Sequence, residues 1–352
     1  MRIAITADPE LPVPPKEYGG IERIVDMLAR GLVRRGHEVT LFANPQSSSA
    51  GRLIPFPGAS SASRLDTVRN ALELARHVLT RGVDVVHSFS RLNYLLPILP
   101  LRVPKLMTYQ RAITRRSVVL GQRLSRGTLH FSAISSQMMK PVADVGAWHL
   151  VPNCASPDCY RFQPTVAADA PLMFLGRIEE IKGTHVAIEV ARRTGSKLTI
   201  AGNVAPEHRD YFQARIRPHL DDRQIVYVGP VGDEEKNVLL GRARALLMPV
   251  LWDEPFGIVM VEAMACGTPV VGLARGAVPE VVEDGASGFV RRDLDGLVEA
   301  VGRIGEIDRR RCRERVELQF SDAVMTEKYL AAYRDVIAAC GCAGHQQHSY
   351  RG

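Results

Sequence analysis

The feature that most limits what this chain can fold into is a regular alternation of short apolar runs with helical repeats, set up within residues 1–43. Residues 2–7 are an apolar run that fits a buried strand. A loop rich in proline (Pro9, Pro12, Pro14, Pro15) then leads to Tyr18-Gly19-Gly20. Over residues 21–34, Ile24, Val25, Leu28, Leu32 and Val33 share one helical face, with Glu22 in the first turn. The repeat stops at Arg34-Arg35-Gly36, with bases in the last turn and a glycine to cap it. Residues 39–43 read as the next strand. Strand, helix, strand in this order is a right-handed βαβ unit of a parallel sheet.

The alternation continues with a helix over 66–81, strands over 83–87 and 105–108, a basic segment 111–126 and a short strand over 130–134. Residues 151–164 are polar and broken by Pro152 and Pro157, which suits a linker. A second alternation follows: strands over 172–175, 197–201, 225–228, 245–249 and 269–272, helices over 184–194, 207–218, 233–243, 258–265 and 278–283. No period of 20–50 residues repeats, which excludes a solenoid. The expected fold is α/β, with two doubly wound Rossmann-like domains facing a cleft. The domains are 1–150 and 165–319; a helix over 320–339 and a frayed tail over 340–352 follow.

Composition narrows the class. Of 352 residues, 46% are apolar and 24% charged, which excludes a disordered tail, a coiled coil and a disulfide-rich miniprotein. The most apolar stretch, 94–103, holds Pro97, Pro100 and Arg102, so no run approaches the roughly 18 residues of a membrane span. The start turns polar after Ile5, so neither signal peptide nor anchor is expected and the chain reads as cytoplasmic. Six cysteines (154, 159, 266, 312, 340, 342) show no CxxC pair and no histidine at zinc spacing, and are expected as reduced thiols. Net charge is +7, and residues 1–150 hold all of the excess, with 20 Lys and Arg against 10 Asp and Glu. The remainder carries 25 against 28. A positive field of this kind attracts phosphorylated ligands, anionic lipid or nucleic acid.

Two stretches carry chemistry. The first reads WDEPFGIVMVEAMACGTP from Trp252 to Pro269. Glu254 sits in a loop and Glu262 on the second turn of the helix that the loop opens. Pro255 and Gly257 permit a tight turn, and first-turn amides favour an anion or sugar oxygens. Two ionised carboxylates at fixed separation suit a polyhydroxylated ligand, since each accepts bidentate hydrogen bonds from paired hydroxyls. An electrostatic cap at Glu254 and a solvated Glu262 fit the spacing equally well. In the second stretch, Arg177 and Lys182 lie five apart just beyond the carboxyl end of a strand, where open α/β sheets bind ligands. A guanidinium fork and an ammonium together suit a diphosphate; a surface pair of bases is the plainer alternative.

Taken in order, these and other segments resemble a family-4 retaining glycosyltransferase. They are Tyr18-Gly19-Gly20-Ile21-Glu22, Arg34 to Val39, Gly176-Arg177 to Lys182-Gly183, Glu254 to Gly257 with Glu262 to Val271, Gly276 to Val282, and Asp284-Gly285 to Phe289. The resemblance runs from residue 1 to about 338, and its specific part is the Glu-x7-Glu segment. It implies a GT-B fold: an N-terminal acceptor domain braced by the returning helix 320–339, a C-terminal nucleotide-sugar domain, and reaction in the cleft. It implies that Arg177 and Lys182 hold the donor diphosphate and stabilise the leaving nucleotide. Glu262 then accepts from ribose hydroxyls and Glu254 from hydroxyls of the hexose. Amides at Phe256, Gly257 and Ile258 touch the sugar or phosphate, and Gly20 lets the first loop approach the diphosphate. Base recognition falls to the loops around Gly202-Asn203 and Gly229 to Gly232. The nucleoside-diphosphate sugar is a co-substrate; no cofactor and no metal are implied, and no Asp-x-Asp with suitable ligands occurs. Family frequency favours UDP-glucose. Glu254 as a nucleophile is the alternative to the mechanism the resemblance favours, in which the leaving phosphate takes the acceptor's proton on the same face.

The chain departs from the family in places. Relatives read Thr-x-His where this chain has Thr108-Tyr109-Gln110, so Gln110 is expected to contact the donor sugar without shuttling a proton. Arg111 fits phosphate on donor or acceptor as well as a surface salt bridge. For His87, a sugar or acceptor contact and a buried hydrogen-bonded role are both open. Cys154 stands where glycine is usual after Asn153. The segment with Arg111, Arg115, Arg116, Arg123 and Arg126, interleaved with Ile113, Val118, Val119, Leu120 and Leu124, fits a weak anionic contact at the inner membrane face or a solvated helix.

The expected partners are a nucleotide-sugar donor and an acceptor that is a small molecule, a glycan or lipid-linked; nucleic acid is not expected. An epimerase or phosphorylase on the same fold, or a non-catalytic nucleotide-sugar binding protein, are the alternatives. A phosphorylase wants a cofactor lysine, and of Lys182, Lys197, Lys236 and Lys328 only Lys182 sits in a suitable loop. A nicotinamide dehydrogenase needs Gly-x-Gly-x-x-Gly after a strand, and the first loop lacks it.

Overall fold

The structure, a computed structural model, describes residues 1–15 and 19–345, with side chains through residue 341. Tyr18 of the first-loop motif, the Cys342 thiol and the tail beyond His345 lie outside the described residues. The chain divides into two compact units, Met1–Asn153 with the helix from Asp322, and Cys154–Ser321.

The first unit is built on seven parallel strands: β1 (Arg2–Thr6), β2 (Glu38–Ala43), β3 (Arg52–Pro55), β4 (Val85–Ser88), β5 (Lys105–Tyr109), β6 (Leu129–Ala133) and β7 (Trp148–Leu150). Their spatial order is β3-β2-β1-β4-β5-β6-β7. Ile3, Ala4 and Ile5 of β1 are all buried, as a central parallel strand covered on both faces requires. The winding reverses between β1 and β4, which opens a crevice at their carboxyl ends. Helix Gly20–Arg34 buries Ile24, Val25, Leu28 and Leu32. Gly31 on this helix lies against Thr326 of helix Asp322–His345, so a larger side chain has no room there. Arg34 pairs with Asp322 at 3.1 Å and Arg35 with Glu327 at 2.6 Å, but these exposed pairs contribute little. Burial of Tyr329, Leu330, Tyr333 and Val336 is what holds the terminal helix to the unit.

The second unit repeats the plan with six parallel strands: β8 (Leu172–Leu175), β9 (Leu198–Ala201), β10 (Ile225–Gly229), β11 (Ala245–Met248), β12 (Val270–Leu273) and β13 (Gly288–Arg291). The order β10-β9-β8-β11-β12-β13 puts the reversal between β8 and β11. Residues 154–164 pack on this unit: the Ala155 amide donates to the Phe320 carbonyl, and that of Gln163 to Cys266, both at 3.0 Å. Cys154, Cys159, Cys266, Cys312 and Cys340 are free thiols.

The α/β class with two doubly wound units is as expected, but several elements differ. Strands β3, β7 and β13 were not foreseen, being three or four residues long and without a clear alternation. The helix expected over 207–218 is instead a succession of short 3-10, α and π turns from Pro206 to His219. Pro218 explains this: it has no amide to donate and its ring clashes with the carbonyl four residues earlier. Helices Leu294–Arg303 and Arg309–Arg315 were also unforeseen. The last helix runs to His345, so residues 340–345 are helical where fraying was expected.

Candidate functional site

The crevice at the carboxyl ends of β8 and β11 gathers most of the residues that the sequence singled out. Its loops are held backbone to backbone. Gly202, with φ 145°, faces the Gly176 carbonyl where no β-carbon fits, which docks the loop after β9 on that after β8. Gly183, with φ 74°, lies in the same way against the Pro249 carbonyl, and the Leu251 amide donates to Ile181 at 2.8 Å. The turn Glu180–Lys182 is thereby fixed beside the loop after β11. Lys182 Nζ reaches Glu254 Oε2 at 2.6 Å, and Trp252 Nε1 donates to the same oxygen at 2.9 Å. The ammonium also stands 4.8 Å from the centre of the Trp252 ring. Both partners of this pair are mostly shielded from water. Arg177 is more open; it meets the buried Glu179 at 2.9 Å, and His208 meets the same carboxylate at 3.2 Å.

Glu254 leads into helix Ile258–Ala265 through Phe256 and Gly257. Gly257 takes the left-handed conformation (φ 76°), and Phe256 is buried against Phe320 with ring centres 5.8 Å apart. The Glu254 carbonyl accepts from Ala277 at 2.8 Å, and Gly276 crowds the Glu254 backbone too closely to carry a side chain. A β-carbon on Gly257 would stand 3.4 Å from Glu254 Cγ, so the start of this helix lies close to the Glu254 side chain. Glu262 lies on the second turn and is not solvated, against one reading of the spacing: it is 7% exposed. Its Oε1 accepts from Tyr160 Oη and from Lys236 Nζ, each at 2.7 Å. Lys236 also reaches Asp233 at 3.2 Å. Tyr160 and Lys236 are not legible in the sequence as site residues: the first lies in the apparent linker, and the second lies on a helix and not in a loop after a strand. The signal was a lone lysine in the acidic first turns of a helix.

The remaining candidates belong to the first unit. Gly20 opens helix Gly20–Arg34. Gln110 lines a cavity of about 410 Å3 together with Arg111. Its amide forms a reciprocal pair with Asn153, both bonds at 2.8 Å, so Gln110 is oriented by that neighbour. His87 is a correction. It is fully buried, Nδ1 hydrogen-bonded to Tyr333 Oη at 2.6 Å and Nε2 to Thr108 Oγ1 at 2.7 Å. Both ring nitrogens are occupied, so the contact with sugar or acceptor is not available to it; burial alone lowers its pKa to about 3. In the basic segment, helix Arg115–Ser125 buries Val118 and exposes Leu120 and Leu124 beside Arg116 and Arg123. Arg115 is bound to Asp144.

This geometry agrees with what the chain is similar to. Residues 18–158 match the model of Glycosyltransferase Family 4, and residues 161–316 that of Glycosyl transferases group 1. The glycogen synthase of Mycobacterium tuberculosis is 40% identical over 139 residues, 38% of this chain and only 33% of that protein. The phosphatidyl-myo-inositol mannosyltransferase of Mycobacterium leprae is 28% identical over 82% of this chain and 83% of its own length. The crystal structure of Anabaena HepE in complex with UDP-glucose shares the fold, with a TM-score of 0.71 over 95% of this chain and 100% of the other, at 16% identity. With two doubly wound units, both family models matched in sequence and the Glu-x7-Glu helix at the β8/β11 crevice, the chain belongs to the family-4 glycosyltransferases of the GT-B fold.

Proposed function

We propose that this glycosyltransferase moves a hexose from a nucleoside-diphosphate sugar to an acceptor hydroxyl, retaining anomeric configuration and using no metal ion. UDP-glucose is the preferred donor in this reading, supported by the UDP-glucose complex of HepE on the same fold. The observation that carries it is the pair of shielded lysine–glutamate contacts, Lys182–Glu254 and Lys236–Glu262, beside the more open Arg177. A polyhydroxylated anion matches this set of carboxylates and cations.

Breaking the anomeric bond leaves negative charge on the diphosphate and positive charge on the sugar. Arg177 and Lys182 supply a preorganised positive field for the first, the work a divalent cation would otherwise do. The bond from the anomeric carbon to the phosphate oxygen breaks, the acceptor oxygen bonds that carbon on the same face, and its proton passes to the leaving phosphate. Glu254 positions hexose hydroxyls. Lys182 and Trp252 both donate to its Oε2, which draws charge from the carboxylate and weakens it as a nucleophile. Glu262 receives the ribose hydroxyls. Catalysis in the cytoplasm and a weak contact of the Leu120–Leu124 face with anionic lipid complete the proposal; no helix among the described residues is long and apolar enough to cross a membrane.

Calorimetric titration with UDP, GDP, ADP and TDP in EDTA, then with the matching sugar nucleotides, tests the donor site. One nucleotide should bind at micromolar strength, and Arg177→Ala or Lys182→Ala should weaken it about tenfold or more. Glu262→Ala should weaken nucleotide binding about tenfold, whereas Glu254→Ala should chiefly lower turnover, by about a hundredfold. Equal losses of affinity contradict these roles, and no binding by any nucleotide overturns the donor reading.

A further inference from the structure

The first unit holds a cavity lined by none of the charged residues of the β8/β11 crevice. It has a volume of about 410 Å3, within the roughly 300–1,000 Å3 of small-molecule sites. Asp8, Ser90, Arg91, Asn93, Gln110 and Arg111 are among the residues lining it. They follow β1, β4 and β5, so the cavity sits at the carboxyl ends of the strands that flank the reversal in winding.

Two of its polar atoms are unspent. Asp8 Oδ1 and Ser90 Oγ are buried, and neither has a hydrogen-bond partner among the described residues. Native interiors seldom leave such atoms unpaired, so a carboxylate oxygen and a hydroxyl in this state are matched by a ligand that brings hydroxyl groups. Two exposed guanidiniums complete the lining. Arg91 is anchored by donating to the Ser61 carbonyl at 3.1 Å, and the Ser61 amide in turn donates to Glu10 at 2.6 Å. Asp8, Arg91 and Arg111 line one space; burial and Glu10 push the Asp8 carboxyl above its ordinary value, and Arg111 and Arg91 oppose that rise. Glu10 and Glu22 share that field, but Glu10 is engaged by the Ser61 amide and neither carboxylate lines the cavity. The charged side chains in the lining are therefore two cations and one anion.

We infer that this cavity binds the acceptor, and that the acceptor is a phosphorylated polyol: Asp8 and Ser90 take its hydroxyls, while Arg91 and Arg111 take the phosphoryl oxygens. The inference rests on the glycosyltransferase reading above and deepens it by naming the acceptor class. Asp8 is a positioning residue that orients the hydroxyl. The same chemistry is offered by a free sugar phosphate and by the headgroup of a phospholipid.

The test uses the full chain saturated with its nucleotide. It is titrated with glucose 6-phosphate, myo-inositol 1-phosphate, the neutral sugar and polyol, inorganic phosphate, and vesicles with or without phosphatidylinositol. At least one phosphorylated polyol should bind about tenfold tighter than its neutral counterpart. Arg91→Gln and Arg111→Gln should each erase most of that preference. Asp8→Asn should weaken the polyol but leave inorganic phosphate unchanged. Arg91→Gln and Asp8→Asn should bind nucleotide as the parent does, which also shows that they are folded, and urea unfolding checks the fold of Arg111→Gln. Binding confined to vesicles assigns the lipid headgroup; binding of the free phosphates assigns a small molecule. Normal nucleotide binding with no phosphorylated probe bound, or a preference that survives both arginine changes, overturns the inference and leaves the donor reading standing. Sugar-phosphate binding without any nucleotide binding does the reverse.

Discussion

Lys236 shows what a single residue adds to a motif. Glu262 was legible because the Glu-x7-Glu segment is contiguous, whereas its counter-charge lies 26 positions away on another helix. Neither group stands in water, so removing one strands the other. Lys236→Met should cost about 3 kcal/mol of stability, because it leaves a shielded carboxylate unpaired. The double variant Lys236→Met/Glu262→Gln should recover most of that loss while nucleotide binding stays weak. Urea unfolding and calorimetry on the two variants separate the effects; if the single variant unfolds like the parent, the pair carries no structural weight. His87 is the counterexample at this scale. Its position at a strand end left two readings open, and only the partners on both ring nitrogens closed one of them.

Among elements, the helix Arg309–Arg315 matters out of proportion to its length. Arg309 is buried, and its guanidinium donates to the carbonyls of Gln163 (2.7 Å), Ala243 (3.0 Å) and Gly241 (2.9 Å) and to Thr268 Oγ1 (2.8 Å). Gly241 and Ala243 end the helix that carries Lys236, where exposed carbonyls and the helix dipole favour a cation. Arg309→Leu should therefore lower stability by about 3 kcal/mol, since several buried carbonyls lose their donor. Arg309→Lys should recover little, because one ammonium cannot span a planar array of four acceptors. Chemical denaturation reads both, and a loss below about 1 kcal/mol for Arg309→Leu would show that water replaces the guanidinium. Neither this helix nor the broken course of 206–219 was visible in the chain. An arginine-rich stretch reads as solvated surface, and helical spacing over 207–218 conceals what Pro218 does.

At the scale of the molecule, each unit uses the same plan and gathers its candidate residues at the reversal of its own sheet. The first unit has one further tie: His87 on β4 bonds Tyr333 of the terminal helix, at the far end of the chain. Burial lowers the histidine to about 3, below its ordinary 6.5. The unfolded chain therefore takes up a proton that the folded one refuses, and stability falls as pH drops below about 6.5 and keeps falling toward 3. His87 alone should account for about 2 kcal/mol of loss between pH 7.5 and pH 5. His87→Gln should be less stable at pH 7.5 yet lose about that much less on acidification. Parallel pH slopes for parent and variant in urea unfolding would falsify the assignment.

The sequence by itself determined the class of fold, most of the strands and the two charged stretches that end up beside β8 and β11. Those signals are local: short apolar runs and helical repeats, glycines at turns, and carboxylates and cations within a few residues of a strand end. Only the tertiary structure decided which of those residues have partners. The Lys236–Glu262 contact, the withdrawal of His87 into the core, and Asp8 Oδ1 and Ser90 Oγ, without partners among the described residues in a cavity lined by two arginines, all join positions far apart in the chain. Burial and pairing depend on which surfaces the crossovers bring together, and no window of sequence contains that information.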